Sequence, residues 1–229
     1  MKNKRKLFTG TALIIAFTVW TILIQSIDVQ AVGVNGTKIG FAAINTWFHK
    51  LTGVHLTVYT ITDWLGLVPI CICGFFGIVG LRQLIKRKSI FKVDADIILL
   101  GIYYVVVIFA YLAFEMTPIN YRPILIDGFM EASYPSSTTL LVLSVMPSLK
   151  FQMVRRSRNA ALRNTVNVFT KAFSIYMILG RLLSGVHWCT DIIGSVLLST
   201  GLFKMDQFSV GFVEQRKSEQ SPEVSNGVS

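Results

Sequence analysis

Six stretches of this chain, at about residues 7 to 27, 57 to 81, 96 to 117, 136 to 149, 166 to 183 and 187 to 204, are too long and too apolar to sit in water as exposed helices. A hydrocarbon core takes roughly 20 predominantly apolar residues to cross, and within it each backbone polar group must find its partner inside the segment. The fourth stretch is short and polar at its start. Together the six leave one class open, an all-α polytopic membrane protein of six transmembrane helices. The composition agrees: at 52% hydrophobic, 15% charged and a mean hydropathy of +0.58 over 229 residues, the chain lacks the polar surface of a soluble domain.

The basic residues orient the spans. With the N-terminus in the cytoplasm, only Lys38, Lys50, Arg122 and Arg181 of the 22 Lys and Arg residues fall outside, which places both termini in the cytoplasm of a multi-pass cell-membrane protein. The net charge of +10 follows from this topology and from attraction to anionic headgroups. Scattered over separate loops, it does not call for a nucleic-acid partner. The opening MKNKRKLFTGTALIIAF has the charged start of a signal peptide, but its apolar part is long and AVGVNG is a poor cleavage site, so an uncleaved first span is expected. Cys71, Cys73 and Cys189 lie within the spans, odd in number and deep, and read as packing residues.

The segment VNGTKIGFAAINTWFHKLTG between the first two spans puts Ile39, Ala42, Ile44, Trp47, Phe48 and Leu51 roughly on one helical face. It reads as a helix lying in the membrane interface, or as a small lid over an outward-facing site. Gly74, Gly77 and Gly80 punctuate the second span at a spacing that lets helix backbones approach. Residues 1–205 form one membrane domain, and 206–229, polar and rich in Ser and Glu, are expected to be a disordered cytoplasmic tail.

Ionisable groups at span ends are costly, about 2.5 to 3.5 kcal/mol at mid-helix, and need a reason. Asp63, Glu115, Arg122, Asp127, Glu131, Arg181, His187 and Asp191 all fall at outer ends. The densest part is GRLLSGVHWCTDIIG, residues 180–194. His187 and Asp191, four apart, share a helix face, so the carboxylate can hold one imidazole nitrogen and leave the other as nucleophile or base. Taken singly, such a pair is equally a helix-surface contact.

Arg122-Pro123 after span three, YPSS opening span four, and Arg-x5-His-x3-Asp joining spans five and six stand in the order of the three motifs of the type 2 phosphatidic acid phosphatase superfamily. Those lipid phosphatases are related in fold to vanadium haloperoxidases. The motifs are Lys-x6-Arg-Pro, Pro-Ser-Gly-His and Ser-Arg-x5-His-x3-Asp, and the resemblance covers about residues 60–204. It implies a helical bundle of that family, with Arg122 and Arg181 holding phosphate oxygens, His187 attacking phosphorus to form a phosphohistidine, and Asp191 orienting it. No cofactor or metal is implied. The backbone N–H groups of Ser136, Ser137 and Thr138 at the start of span four would receive the anion.

The chain departs from the family pattern at three places. Gly180 replaces the leading Ser of the third motif. Glu115 stands where the first-motif Lys belongs, and Thr138 where the second motif has its His, the proton donor to the leaving group. Three accounts follow. A lipid diphosphate such as undecaprenyl or another polyprenyl diphosphate expels a phosphate ester and tolerates the loss. Alternatively Glu115 supplies the proton, with Glu131 and Tyr134 as further candidates. Otherwise the chain binds lipid phosphates without turning them over. The expected function is a metal-independent membrane lipid phosphatase with its site facing outside, acting on a lipid phosphate or polyprenyl diphosphate. The alternatives are a lipid-linked phosphotransferase and a catalytically silent binder.

Overall fold

The computed structural model describes residues 2–225. Its helices are α1 (Lys2–Ser26), α2 (Ala42–Thr52), α3 (Leu56–Leu65), α4 (Leu67–Arg87), α5 (Ala95–Met116), α6 (Ser137–Arg156), α7 (Ala160–Leu183) and α8 (Cys189–Ser225). Among the described residues, five helical segments are long and apolar enough to cross a membrane: α1, α3 with α4 taken together, α5, α6 and α7. The sixth expected span is the first half of α8. It is less apolar because its polar side chains are answered inside the bundle: Asp191, Ser195 and Ser199 are all buried, and Ser195 Oγ donates to the Ser136 carbonyl at 2.9 Å.

α8 lies along α1 and packs on α6 and α5, while α6 packs on α7. Packing of this kind, with lipid as the outer solvent, leaves large apolar side chains such as Phe109 and Ile78 exposed on the outside. The α3 to α4 joint falls at Gly66, three residues ahead of Pro69, whose ring removes the N–H that would continue the helix. α6 is longer than the apolar run suggests. Its basic last turn is paired with acids of neighbouring segments, Arg156 with Asp94 at 3.2 Å and with Asp96 at 2.7 Å.

Two expectations need correction. The stretch from Asp206 is not a disordered tail as far as Ser225 but continues α8. Asp206 and Val210 are buried, and Glu214 is paired with Arg155 of α6. Residues 226–229 lie outside the described residues. Of the α4 glycines, only Gly80 has a neighbour at packing distance, Ile97, and a Cβ on Gly74 or Gly77 would meet nothing within 4 Å. The close helix approach is between α1 and α8 instead, where Gly201 abuts Ile14.

α2 presents Ile44, Trp47 and Leu51 outward and buries Ala42 and Asn45 against the bundle, as an interface helix does. It and the start of α3 brace the turn before α8: His49 Nε2 is 3.1 Å from the Gly185 carbonyl, and the N–H of His55, the residue ahead of α3, donates to the Ser184 carbonyl at 2.9 Å.

Candidate active site

The site gathers at one end of the bundle, where α5 and α7 finish and α6 and α8 begin. The 117–136 loop folds back on itself through bridges pairing Tyr121 with Ala132 and Ile126 with Phe129. Its two limbs bring Arg122 and Ser133 to the start of α8. Trp188 is buried and ties the loop down, its indole N–H donating to the Tyr121 carbonyl at 2.8 Å. Gly185, with φ of +71° and the Gly53 carbonyl oxygen 2.1 Å from where a Cβ would lie, makes the tight turn that delivers His187.

His187 is buried, and its Nδ1 is 3.1 Å from the Ser133 carbonyl oxygen and 3.2 Å from Ser133 Oγ. Asp191 Oδ2 is farther, at 3.9 Å. The Asp191 carboxylate accepts from Ser133 Oγ, from the Trp188 N–H at 2.9 Å and from Asn120 Nδ2 at 3.4 Å. Asp191 therefore caps the start of α8 and reaches His187 through Ser133. With Nδ1–H donated to a carbonyl, the lone pair sits on Nε2, which has no hydrogen-bond partner among the described residues. Burial, with the Arg122 and Arg181 charges in second place, lowers the imidazole well below its ordinary value, so it is neutral at pH 7.

Arg122 and Arg181 are 8% and 1% exposed. Tyr59 lies between them, its ring centroid 5.6 Å and 5.0 Å from the two guanidinium carbons. Arg122 pairs with Glu131 at 3.0 Å, and Arg181 pairs with Asp63 at 3.2 Å and donates to Thr138 Oγ1. In each guanidinium those contacts use Nη2, while Nε and Nη1 are buried without partners among the described residues. Four such donor nitrogens are costly to leave unsatisfied, and the oxygens of a tetrahedral oxyanion would accept from them together.

Both arginines form part of the wall of a cavity of about 710 Å³, with Ser137, Thr138, Glu115, Tyr111 and Glu131. Its other end, between α4, α5 and α6, is apolar, with Ile70, Val107, Ile108 and Leu141. Ser136 is elsewhere. Its hydroxyl is buried against Thr139 Oγ1 at 3.0 Å, so of the three residues at the start of α6, Ser137 and Thr138 reach the cavity. Thr138 accepts from Arg181. Glu115 is on the cavity wall, Glu131 is engaged with Arg122, and Tyr134 is buried away from the cavity with its hydroxyl 2.8 Å from that of Thr21. Among the described residues no group of three His, Cys, Asp or Glu side chains is placed to hold a metal ion.

Ser133 and Asn120 carry the geometry of this site without having stood out in the sequence. The only hint was position: Ser133 is two residues ahead of the Pro-Ser pair.

No family model matches the chain, and no curated protein matches it by sequence. Its fold is similar to the crystal structure of the first transmembrane PAP2 type phosphatidylglycerolphosphate phosphatase from Bacillus subtilis. The match covers 91% of this chain and 97% of that one, with a TM-score of 0.56 and 18% identity. The expected PAP2-like helical bundle is met at the level of the fold.

Proposed function

We propose that this chain is a metal-independent membrane lipid phosphatase that works through a phosphohistidine on His187. The observation that carries the proposal is that Nε and Nη1 of Arg122 and Arg181 and Nε2 of His187 are all buried without partners among the described residues, with both guanidinium charges acting on the imidazole. In this reading the phosphoryl oxygens occupy the guanidinium groups, where positioning and charge supply most of the catalysis. The Nε2 lone pair forms the N–P bond as the bond from phosphorus to the leaving oxygen breaks. Water then attacks phosphorus, the N–P bond breaks, and phosphate departs.

The apolar end of the cavity suits a lipid chain lying beside the headgroup. The substrate is a lipid phosphate or a polyprenyl diphosphate. Proton delivery is the step for which the chain has no second-motif imidazole. A phosphate ester leaves without a proton; for an alkoxide, Glu115 is the cavity carboxyl available to donate one. The site lies at the end of the bundle opposite the basic N-terminus and the basic 82–92 and 150–163 segments. We place that end outside, with both termini in the cytoplasm.

Phosphate release by purified protein in the presence of a chelator tests the proposal, together with acid-labile, base-stable phosphoenzyme trapped on wild type. His187→Ala is expected to lose both. Equal release by that variant overturns the assignment. A lipid or sugar hydroxyl that raises turnover in place of water would identify a phosphotransferase on the same chemistry.

A further inference from the structure

We infer that the lipid taken by this site carries a positive group beside its phosphate, as an amine or quaternary ammonium does, and that Glu115 recognises it. The inference rests on the phosphate site proposed above and narrows its substrate class.

The charges in the cavity wall are three carboxylates, Asp63, Glu115 and Glu131, against two guanidiniums, Arg122 and Arg181. Asp63 and Glu131 are each paired with one arginine, at 3.2 Å and 3.0 Å, through the Nη2 that the phosphate does not need. Those pairs can persist with phosphate bound. They orient the clamp and cancel much of its field, leaving Glu115 in excess. A simple phosphate dianion would enter a site already negative in sum, and a diphosphate would be worse matched.

The unpartnered donors of Arg122 and Arg181, 8% and 1% exposed, nevertheless demand an anion. Both requirements are met by a headgroup whose phosphate is held by the guanidiniums and whose cation lies a few ångströms away against Glu115. Glu115 and Tyr111, four residues apart on α5, both line the cavity. A carboxylate beside an aromatic ring is the surface that binds an ammonium group, by charge and through the ring's negative face.

The test compares two lipids of equal chain length, a long-chain 2-amino alkyl 1-phosphate and the same alkyl phosphate without the amine, on the full-length protein in detergent with a chelator present. Wild type is expected to show a KM roughly two- to fivefold lower for the amino lipid, the scale of one partly exposed ion pair, and Glu115→Gln is expected to bring the ratio close to one. Equal KM values in wild type overturn the inference, as does a preference that survives in Glu115→Gln. A kcat lost equally for both lipids in that variant, with the KM ratio intact, makes Glu115 the proton donor instead. If wild type releases phosphate from neither lipid, the phosphatase proposal fails by itself. Thermal-shift titration of wild type with the two lipids then decides the inference: tighter binding of the amino lipid, lost in Glu115→Gln, sustains it, and equal binding ends it.

Discussion

The Nδ1 atom of His187 is held by the carbonyl oxygen of Ser133 at 3.1 Å, while Asp191, four residues along, stands 3.9 Å away. The i, i+4 spacing that suggested a direct pair thus produces an indirect one. Asp191 is in the first turn of α8, where its carboxylate turns toward the Trp188 N–H, and the Ser133 hydroxyl fills the space between acid and imidazole.

Ser133→Ala should therefore lower kcat by roughly 10- to 100-fold, the scale of a lost hydrogen bond to a charged group, with KM little changed. It should also move the acidic limb of the pH profile upward, because an Asp191 charge no longer quenched by the hydroxyl favours protonated His187. Ser133→Thr keeps the hydroxyl and should recover most of the rate. Steady-state kinetics of the two variants checks this. A Ser133→Ala enzyme with an unmoved pH profile would reduce Ser133 to a packing residue.

Acid should inhibit only below the usual histidine range. Burial and the two arginines lower the His187 value, so its neutral form, the one the proposed mechanism needs, persists below about pH 6.5, where a free histidine is half protonated. The acidic limb of kcat/KM is expected below that pH, and Arg122→Gln should shift it upward by removing one repelling charge. Stability follows the same linkage. Between the folded value and about 6.5 the unfolded chain binds more protons, so stability falls as pH drops through that window and levels off below it. An acidic limb at pH 7 or above contradicts the geometry.

Much of the bundle was legible because the bilayer imposes a length and a polarity on each span, and α1, α3 with α4, α5 and α7 follow the apolar runs. The order of the third motif was legible as a pattern, but His187 lies in the turn ahead of α8 and not on its face, so helix periodicity does not reach from it to Asp191. Ser133 and Asn120 were not, since both sit in a loop whose path is set by its bridges and by Trp188, and no spacing rule reaches across it. The length of α8 was hidden for a related reason. A Ser- and Glu-rich segment looks disordered when read alone, yet Glu214 finds Arg155 and Gly211 lets α8 meet Asn3 of α1.

The turn that carries His187 should be intolerant of any side chain at Gly185. An alanine there takes a left-handed conformation and puts its Cβ against the Gly53 carbonyl, so two penalties act together. Gly36, with φ of +75° and nothing within 4 Å of a Cβ, isolates the first of them. Gly36→Ala is expected to cost about 1 to 2 kcal/mol at most, with activity retained. Gly185→Ala should lower the Tm further and abolish phosphate release, because relieving the clash moves Ser184 and His187 off their partners. Thermal unfolding in detergent, run beside the activity assay, checks both.

Thr138 stands where the sequence pattern predicts a histidine, and its hydroxyl is an acceptor for Arg181. The guanidinium is then held from two sides, by Thr138 and by Asp63 at 3.2 Å, with Nε and Nη1 unpartnered among the described residues. If that is its role, replacing the hydroxyl by a methyl loosens one side of the clamp and touches no proton transfer. Thr138→Val, close in shape, should cut kcat/KM by roughly tenfold, in line with one charge-assisted hydrogen bond. The cut should be the same for substrates with good and poor leaving groups. Thr138→Ser should retain the activity. A proton donor behaves differently: its loss is felt most by the poorest leaving group. A Thr138→Val defect that grows from diphosphates to alkyl monophosphates would return this position to acid catalysis and take the clamp role from it.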